Sequence, residues 1–157
     1  SPRWVPDDLK PPYLNTSDEH DEYGTSTEVS NEIIQMSQKR MKKLETLKRE
    51  IPEPTLYGDI NASTILVGSG STKNTVLDAI ATGKNVAYLH YEYIYPLKTD
   101  LFMNLVSQNK RIILVENNQT GEFGKIVTET CGYLFKEKIL KADGRPLFLE
   151  DILDIEI

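Results

Sequence analysis

The sequence predicts an α/β fold in which a mostly parallel sheet carries helices on both faces, preceded by an extended arm and a long helix. Three observations lead to this prediction. Apolar residues are sparse up to residue 57 and dense after it. From residue 64 onward, short apolar segments alternate with segments of helical spacing. Residues 112–115 are continuously apolar, as in a strand that is buried on both faces. Repeated strand–helix units of this kind form three-layer domains.

The predicted arm covers residues 1–57. Ala, Val, Ile, Leu, Met, Phe, Trp and Cys account for 13 of these 57 residues, against 40 of the 100 residues at 58–157. Six of the eight prolines lie in the arm, and eight of the nine glycines lie after it. A segment with so little apolar surface cannot fold alone. We therefore expect it to be disordered or to lie against the domain at 58–157 or another chain.

Residues 28–50 of the arm have the spacing of a long helix. Six apolar residues share one stripe at 100° per residue, namely Ile33, Met36, Met41, Leu44, Leu47 and Ile51. Thr27 or Ser26 can cap the start of the helix, and Pro52 and Pro54 end it. The helix is either a surface element packed on its own domain or a contact with a missing domain or partner chain. In the second case, Met41 and Leu44 would belong to the interface.

The domain at 58–157 is predicted to contain four strands and four helices. The strands are expected at 64–67, 86–90, 111–116 and 134–140. The helices are expected at 73–81, 101–106, 123–131 and 149–155. In a parallel sheet of this kind, functional loops lie beyond the carboxyl ends of the strands.

Two of these loops carry candidate ligand-binding residues, namely Ser69, Gly70, Ser71, Thr72, Lys73, Glu116, Asn117 and Asn118. Gly68 and Gly70 lead into a helix, and Glu92 follows the next strand, which is the layout of a dinucleotide site. However, Lys73 stands where the third glycine would be, and no P-loop pattern follows. The loop is therefore either a nucleotide or anion site, or a strand-to-helix turn with a hydroxyl residue as N-cap.

Composition excludes several classes of function. A single cysteine cannot form an internal disulfide or complete a cysteine metal site. No apolar run approaches the roughly 20 residues that span a bilayer. A net charge of −6 without a basic patch does not favour nucleic-acid binding. We expect a cytoplasmic protein without a catalytic or metal site, in which His90 is a packing residue and His20 a solvated or interface residue.

Several stretches resemble, in order and spacing, the C-terminal region of the α subunit of 2-oxoacid:ferredoxin oxidoreductases. They are His20-Asp21-Glu22-Tyr23-Gly24, Lys39-Arg40-Met41 with Lys43-Leu44, Gly70-Ser71-Thr72-Lys73, Tyr88-Leu89-His90 with Tyr95-Pro96-Leu97, Val115-Glu116-Asn117-Asn118-Gln119-Thr120-Gly121 and Lys141-Ala142-Asp143-Gly144-Arg145-Pro146. No single stretch would suffice, but together they extend over nearly the whole chain.

The resemblance implies a domain like the C-terminal domain of transketolase, placed after a long linker. In this family a pyrimidine-binding domain precedes it, and thiamine diphosphate with Mg²⁺ lies between that domain and a β subunit. The complex decarboxylates a 2-oxoacid oxidatively and transfers the acyl group to coenzyme A. Electrons leave through iron–sulfur clusters to ferredoxin.

This chain is not expected to perform that chemistry alone. Asp143-Gly144 lacks the downstream Asn of a diphosphate–Mg²⁺ motif, and an iron–sulfur cluster needs about four thiolates where only Cys131 is present. We therefore expect a fragment with a structural, subunit-interface role and no cofactor of its own, with His20 and Asp21 also at an interface. The alternative is a nucleotide- or coenzyme A-binding Rossmann-like module that uses residues 69–73.

Overall fold

The computed structural model describes residues 16–156, and the chain divides into two compact units between Glu50 and Ile51. The composition of the sequence changes after residue 57, but the structural division comes seven residues earlier. The reason is that residues 55–58 form a strand of the second unit.

The first unit contains a tight turn and one long helix. A bridge between His20 and Ser26 closes the turn, and the Asp21 Oδ1 atom accepts hydrogen bonds from the amides of Tyr23 and Thr25, both at 2.9 Å. Helix α1 is Ser30–Glu50, which confirms the predicted helix to within two residues at its start. None of its 21 residues is buried.

The second unit is built on a five-stranded sheet with the order β1-β3-β2-β4-β5. The strands are β1 Thr55–Gly58, β2 Thr64–Ser69, β3 Ala87–Tyr91, β4 Arg111–Glu116 and β5 Glu137–Leu140. Strands β2 to β5 pair in parallel, whereas β1 pairs with β3 antiparallel at one edge. The four parallel strands were predicted, although β5 begins later than expected. The edge strand β1 was not predicted.

Four helices cover the two faces of this sheet. They are α2 Thr72–Ala81, α3 Asp100–Ser107, α4 Glu122–Cys131 and α5 Leu149–Leu153. Alternate residues of β2 enter different cores: Ile65 and Val67 pack with residues of α3 and α4, and Leu66 packs with residues of α2 and α5. The predicted mostly parallel sheet with helices on both faces is therefore confirmed.

The two cores differ in chemistry. The core under α3 and α4 is rich in aromatic rings, with Phe102 lying 5.1 Å from Tyr133 and 5.8 Å from Phe135 between ring centroids. The core under α2 and α5 contains Tyr88, whose ring is fully buried and whose hydroxyl is hydrogen-bonded. This second face carries a buried polar network up to the carboxyl end of the sheet.

Candidate functional site

The candidate residues lie in two adjacent strand-to-helix turns at the carboxyl ends of β2 and β4. Since β2 and β4 are neighbours in a parallel sheet, both turns lie at the same edge. One direct hydrogen bond joins them, from Asn117 Nδ2 to Ser71 Oγ at 3.1 Å. The structure thus brings together the two loops that the sequence analysis singled out.

Glu116, the last residue of β4, is only 6% exposed. Its Oε1 atom accepts hydrogen bonds from the Phe123 amide at 2.8 Å and from Asn118 Nδ2, and its Oε2 atom accepts one from the Gly124 amide at 3.3 Å. These amides belong to the first turn of α4, where the helix dipole favours a negative charge. The carboxylate therefore stabilises its own helix.

Asn118 has a similar internal role. Its Oδ1 atom accepts hydrogen bonds from the amides of Thr120 at 3.0 Å, Gly121 at 2.6 Å and Glu122 at 3.4 Å. An asparagine that accepts hydrogen bonds from amides two and three residues ahead is a turn residue. Of the three candidates in this loop, only Asn117 reaches the other turn.

A chain of hydrogen bonds lies beneath the other turn, between β2 and α2. Thr72 Oγ1 lies 3.0 Å from the carbonyl oxygen of Ser69 and 2.7 Å from the Tyr88 hydroxyl, which in turn lies 3.0 Å from His90 Nδ1. All three contacts are satisfied only if His90 Nδ1–H donates to Tyr88, Tyr88 donates to Thr72, and Thr72 donates to the carbonyl. This assignment leaves His90 Nε2 as a hydrogen-bond acceptor.

The surroundings of these hydrogen-bonded side chains shift the pKa values of Tyr88 and His90. Burial raises the pKa of Tyr88 to about 12, although its hydrogen bond with Thr72 acts in the opposite direction. Burial also lowers the pKa of His90, the positive charge of Lys73 lowers it further, and the negative charge of Glu92 opposes both. Tyr88 therefore stays protonated at neutral pH, and His90 stays neutral.

Close packing next to the hydrogen-bonded side chains of Thr72 and Tyr88 requires a glycine at position 68. A Cβ atom at this position would lie 2.7 Å from the Val115 carbonyl oxygen, 2.9 Å from Thr72 Oγ1 and 3.1 Å from the Tyr88 hydroxyl oxygen. Gly70 differs, because it has a φ of +61° and nothing lies within 4 Å of its Cβ position. The first glycine lets the hydroxyl chain form, and the second allows the left-handed turn into α2.

Lys73 is engaged by its neighbours. Its Nζ atom lies 3.6 Å from Glu92 Oε1 and 5.1 Å from the centre of the Tyr57 ring. Its interaction with the Tyr57 side chain is the main cause that raises the pKa of Lys73. Sequence reasoning did not find this contact, because Tyr57 lies in the strand β1 that was not predicted.

One buried polar side-chain atom has no partner in the part of the chain that the structure describes. It is the hydroxyl of Tyr91, a residue that is 2% exposed and whose ring centre lies 5.1 Å from that of Phe123. Burial raises the pKa of Tyr91. Tyr91 was not a candidate residue, and no motif in the sequence marks it.

The described residues hold no cluster of metal-ligating side chains. Residues 16–156 contain no group of three or more His, Cys, Asp or Glu side chains arranged to hold a metal ion. Cys131 Sγ instead donates to the Val127 carbonyl oxygen at 3.2 Å. No helix within 16–156 is long and apolar enough to cross a membrane.

Comparisons with known proteins point to one family. No protein-family model matches the chain. The chain is 40% identical over 148 residues to 2-oxoacid:ferredoxin oxidoreductase 1, subunit alpha, of Aeropyrum pernix, and 33% identical over 144 residues to the alpha subunit of the enzyme from Saccharolobus solfataricus. The matches cover 88% and 87% of this chain but only 23% of each relative.

A solved structure supports the fold. The 2-oxoglutarate:ferredoxin oxidoreductase from Magnetococcus marinus, solved with 2-oxoglutarate, coenzyme A and succinyl-CoA bound, matches with a TM-score of 0.76 at 20% identity. The match covers 98% of this chain and 28% of that one. The resemblance found in the sequence is thus confirmed: this chain is a relative of the α subunits of 2-oxoacid:ferredoxin oxidoreductases and matches a segment of about a quarter of their length.

Proposed function

We propose that this chain forms a structural, non-catalytic domain of the α subunit of a 2-oxoacid:ferredoxin oxidoreductase in the cytoplasm. The observation that carries the proposal is the internal use of the polar groups at the carboxyl edge of the sheet. Glu116 and Asn118 hold the first turn of α4, while Thr72, Tyr88 and His90 bond to one another. Groups engaged in this way support the fold.

The proposed reaction of the whole enzyme is oxidative decarboxylation of a 2-oxoacid to an acyl-CoA, with reduction of ferredoxin. Thiamine diphosphate supplies the electron sink for decarboxylation, and an iron–sulfur cluster accepts the electrons. Residues 16–156 hold no group of three or more His, Cys, Asp or Glu side chains arranged for a metal ion, and the Cys131 thiol donates to a backbone carbonyl. We therefore assign both cofactors to other parts of the enzyme, namely the pyrimidine-binding domain of the same subunit and the β subunit.

Replacement of the matching segment in a relative tests this division of roles. The 40%-identical α subunit of Aeropyrum pernix, carrying this chain in place of its own segment, should assemble with its β subunit. It should then reduce a viologen dye when a 2-oxoacid and coenzyme A are both present. A matched chimera with Val127→Asp, which places a charge in the core, should lose assembly and turnover together.

The purified 157-residue chain supplies the second half of this test. With thiamine diphosphate, Mg²⁺, coenzyme A and a 2-oxoacid added, it should not reduce the dye. Turnover by the chain alone would show that it carries the reactive groups, and the proposal would fail.

The proposed role also makes residues of the first unit part of an interface. His20 and Asp21 lie in the tight turn, and Met41 and Leu44 lie on α1, where Met41 is 55% exposed. Substitution of Met41 and Leu44 by Asp should weaken association with the other subunit and spare the melting transition of the second unit. A lower melting temperature of the second unit would instead assign α1 to that unit's core.

An alternative is that the turn between β2 and α2 binds an anionic ligand such as a nucleotide or part of coenzyme A. One observation favours it: the side chain of Ser71, the N-cap residue of α2, makes no capping hydrogen bond to the first turn of this helix. Of the candidate side chains, Glu116, Asn118 and Thr72 are engaged within the fold, which leaves Ser69 and, by exchange of their present contacts, Ser71, Lys73 and Asn117. Calorimetry with coenzyme A, NAD and ATP separates the two functions, since binding of any of them favours the alternative.

A further inference from the structure

The loop after β3 exposes three consecutive apolar side chains between buried residues. Tyr93, Ile94 and Tyr95 are 45%, 44% and 69% exposed, whereas Tyr91 and Leu97 on either side are 2% and 3% exposed. The exposed residues are therefore held between two anchors in the core. Within the described residues, no hydrogen bond holds the backbone amides of the three exposed residues.

His90 lies next to this loop. His90 and Tyr93 line the same small cavity of about 10 Å³, together with Glu92 and Lys98. The chain of hydrogen bonds through Tyr88 uses His90 Nδ1 as a donor and leaves Nε2 as an acceptor. Within the described residues, the Tyr91 hydroxyl is the one fully buried polar side-chain atom without a partner, so His90 Nε2 is not sealed from solvent.

We propose that Tyr93, Ile94 and Tyr95 dock this domain on a neighbouring domain of the same α-subunit polypeptide, whose apolar surface offers a hydrogen-bond donor to His90. This inference rests on the proposed function and adds to it a specific contact surface. Tyrosine is enriched at the centres of protein interfaces, whose rims are polar. The charged side chains of Glu92 and Lys98 form such a rim.

The size of the loop surface favours a tethered domain over a second copy of this chain. With about 200 Å² for a fully exposed side chain of this size, the three residues expose roughly 300 Å². A stable complex of separate proteins buries about 800 Å² on each partner. A domain linked to its neighbour in one polypeptide needs a smaller contact, because the tether raises the effective concentration. The curated relatives contain the additional chain for such a neighbour, since this chain spans only 23% of their length.

Hydrogen–deuterium exchange of residues 93–95 tests the proposal directly. These amides should exchange rapidly in the 157-residue chain and at least tenfold more slowly in the full-length α subunit that contains it. Unchanged exchange in the full-length subunit would overturn the proposal. So would protection that appears only when the β subunit is added, or protection in the 157-residue chain that grows with its concentration.

A matched pair of surface variants sharpens this test. The double variant Ile94→Ser/Tyr95→Ser should abolish the protection in the full-length subunit and leave the melting temperature of the 157-residue chain unchanged. The control is Leu134→Ser, which removes a 68%-exposed leucine that precedes β5. It should leave the protection of residues 93–95 intact. Retained protection in the double variant would contradict the proposed docking contact.

Two substitutions of His90 separate its two ring nitrogens. His90→Asn keeps a donor for Tyr88 and removes the acceptor at the Nε2 position, so it should reduce the protection of the loop. His90→Gln keeps an acceptor near Nε2 and removes the bond to Tyr88, so it should lower the melting temperature and retain more of the protection. If His90→Gln reduced the protection of the loop more than His90→Asn, His90 would affect the loop only by stabilising the fold, and not by accepting a hydrogen bond from the neighbouring domain.

The activity of the complete enzyme distinguishes this inference from the proposed function. If the full-length subunit assembles and turns over a 2-oxoacid while residues 93–95 stay unprotected, the docking contact is wrong and the proposed function stands. If the unmodified subunit shows no 2-oxoacid-dependent turnover with its β subunit, the proposed function fails, and this inference fails with it.

Discussion

Two strand-to-helix turns at the same edge of the sheet complete their hydrogen bonds in different ways. The turn after β4 uses charge: the buried carboxylate of Glu116 accepts from the first-turn amides of α4. The turn after β2 has no such carboxylate, and a neutral chain from Thr72 through Tyr88 to His90 lies beneath it. The comparison teaches that a polar residue at a strand end can be a structural group in one turn, while the N-cap residue of the next turn makes no capping hydrogen bond with its side chain.

Because the β4 turn depends on a buried carboxylate and the β2 turn on neutral groups, removal of the Glu116 carboxylate should lower the stability more than any other substitution considered for the two turns. Glu116→Ala leaves the buried amides of Phe123 and Gly124 without an acceptor, which should lower the free energy of unfolding by about 3 kcal/mol or more. Urea unfolding of the 157-residue chain measures this change. The control Glu122→Ala removes an exposed acid in the same helix turn and should cost less than about 0.5 kcal/mol. Equal effects would mean that Glu116 does not hold α4.

At the β2 turn, substitution of Gly68, which makes room for the hydroxyls of Thr72 and Tyr88, should lower the free energy of unfolding more than substitution of Gly70, which has the left-handed φ. Gly68→Ala places a Cβ atom 2.7 Å from a backbone oxygen and should cost about 1–3 kcal/mol. Gly70→Ala has open space around it and should cost only the strain of its left-handed φ, about 1 kcal/mol. Thermal unfolding of both variants decides the order. A larger loss for Gly70→Ala would contradict the close packing described for Gly68.

The neutral chain itself should contribute less than the carboxylate. Tyr88→Phe removes the central hydroxyl and should cost about 1–2 kcal/mol, because Thr72 and His90 each lose a partner. A double-mutant cycle with Thr72→Val measures the coupling, which we expect to exceed about 0.5 kcal/mol. Additive losses would show that the two hydroxyls act independently.

The smallest effect is the pH dependence that His90 confers. The fold lowers the pKa of His90, so the folded state favours the neutral ring. This contribution is fully present above the unfolded pKa of about 6.5 and is lost as the pH falls through the lower folded pKa. His90→Gln should therefore flatten the stability curve in that window. Carboxylates with lowered pKa values, such as Glu137 and Asp151, act at lower pH and should be unaffected by the substitution.

The sequence predicted most elements of the second unit because their apolar patterns are strong. Strand β4 begins and ends where it was expected, and the observed bounds of α2 and α4 differ from the expected ones by one residue. Strand β1 was missed for a physical reason. It has four residues, two of them exposed, follows Pro54 closely, and pairs antiparallel at the edge of the sheet. Nothing in so short a segment distinguishes an edge strand from a linker.

The position of the candidate residues in the fold could be predicted from the sequence. The groups to which their side chains bond could not. A glutamate at the end of a buried strand can bind a ligand or its own helix, and the sequence is the same in both cases. Only the structure separates the two cases, because it shows Glu116 accepting hydrogen bonds from the amides of Phe123 and Gly124. The hydrogen-bonded series through Tyr88 did have a sequence signal, since Tyr88 and His90 alternate in β3 and share one face of the sheet.

The lone hydroxyl of Tyr91 offers a route to a more heat-resistant domain. A buried oxygen atom that has no hydrogen-bond partner among residues 16–156 gives up hydration and receives no bond from these residues in return. Deleting that single atom by Tyr91→Phe keeps the ring against Phe123 and should raise the temperature at which the domain unfolds. The gain would come from removing an atom, with no new contact built.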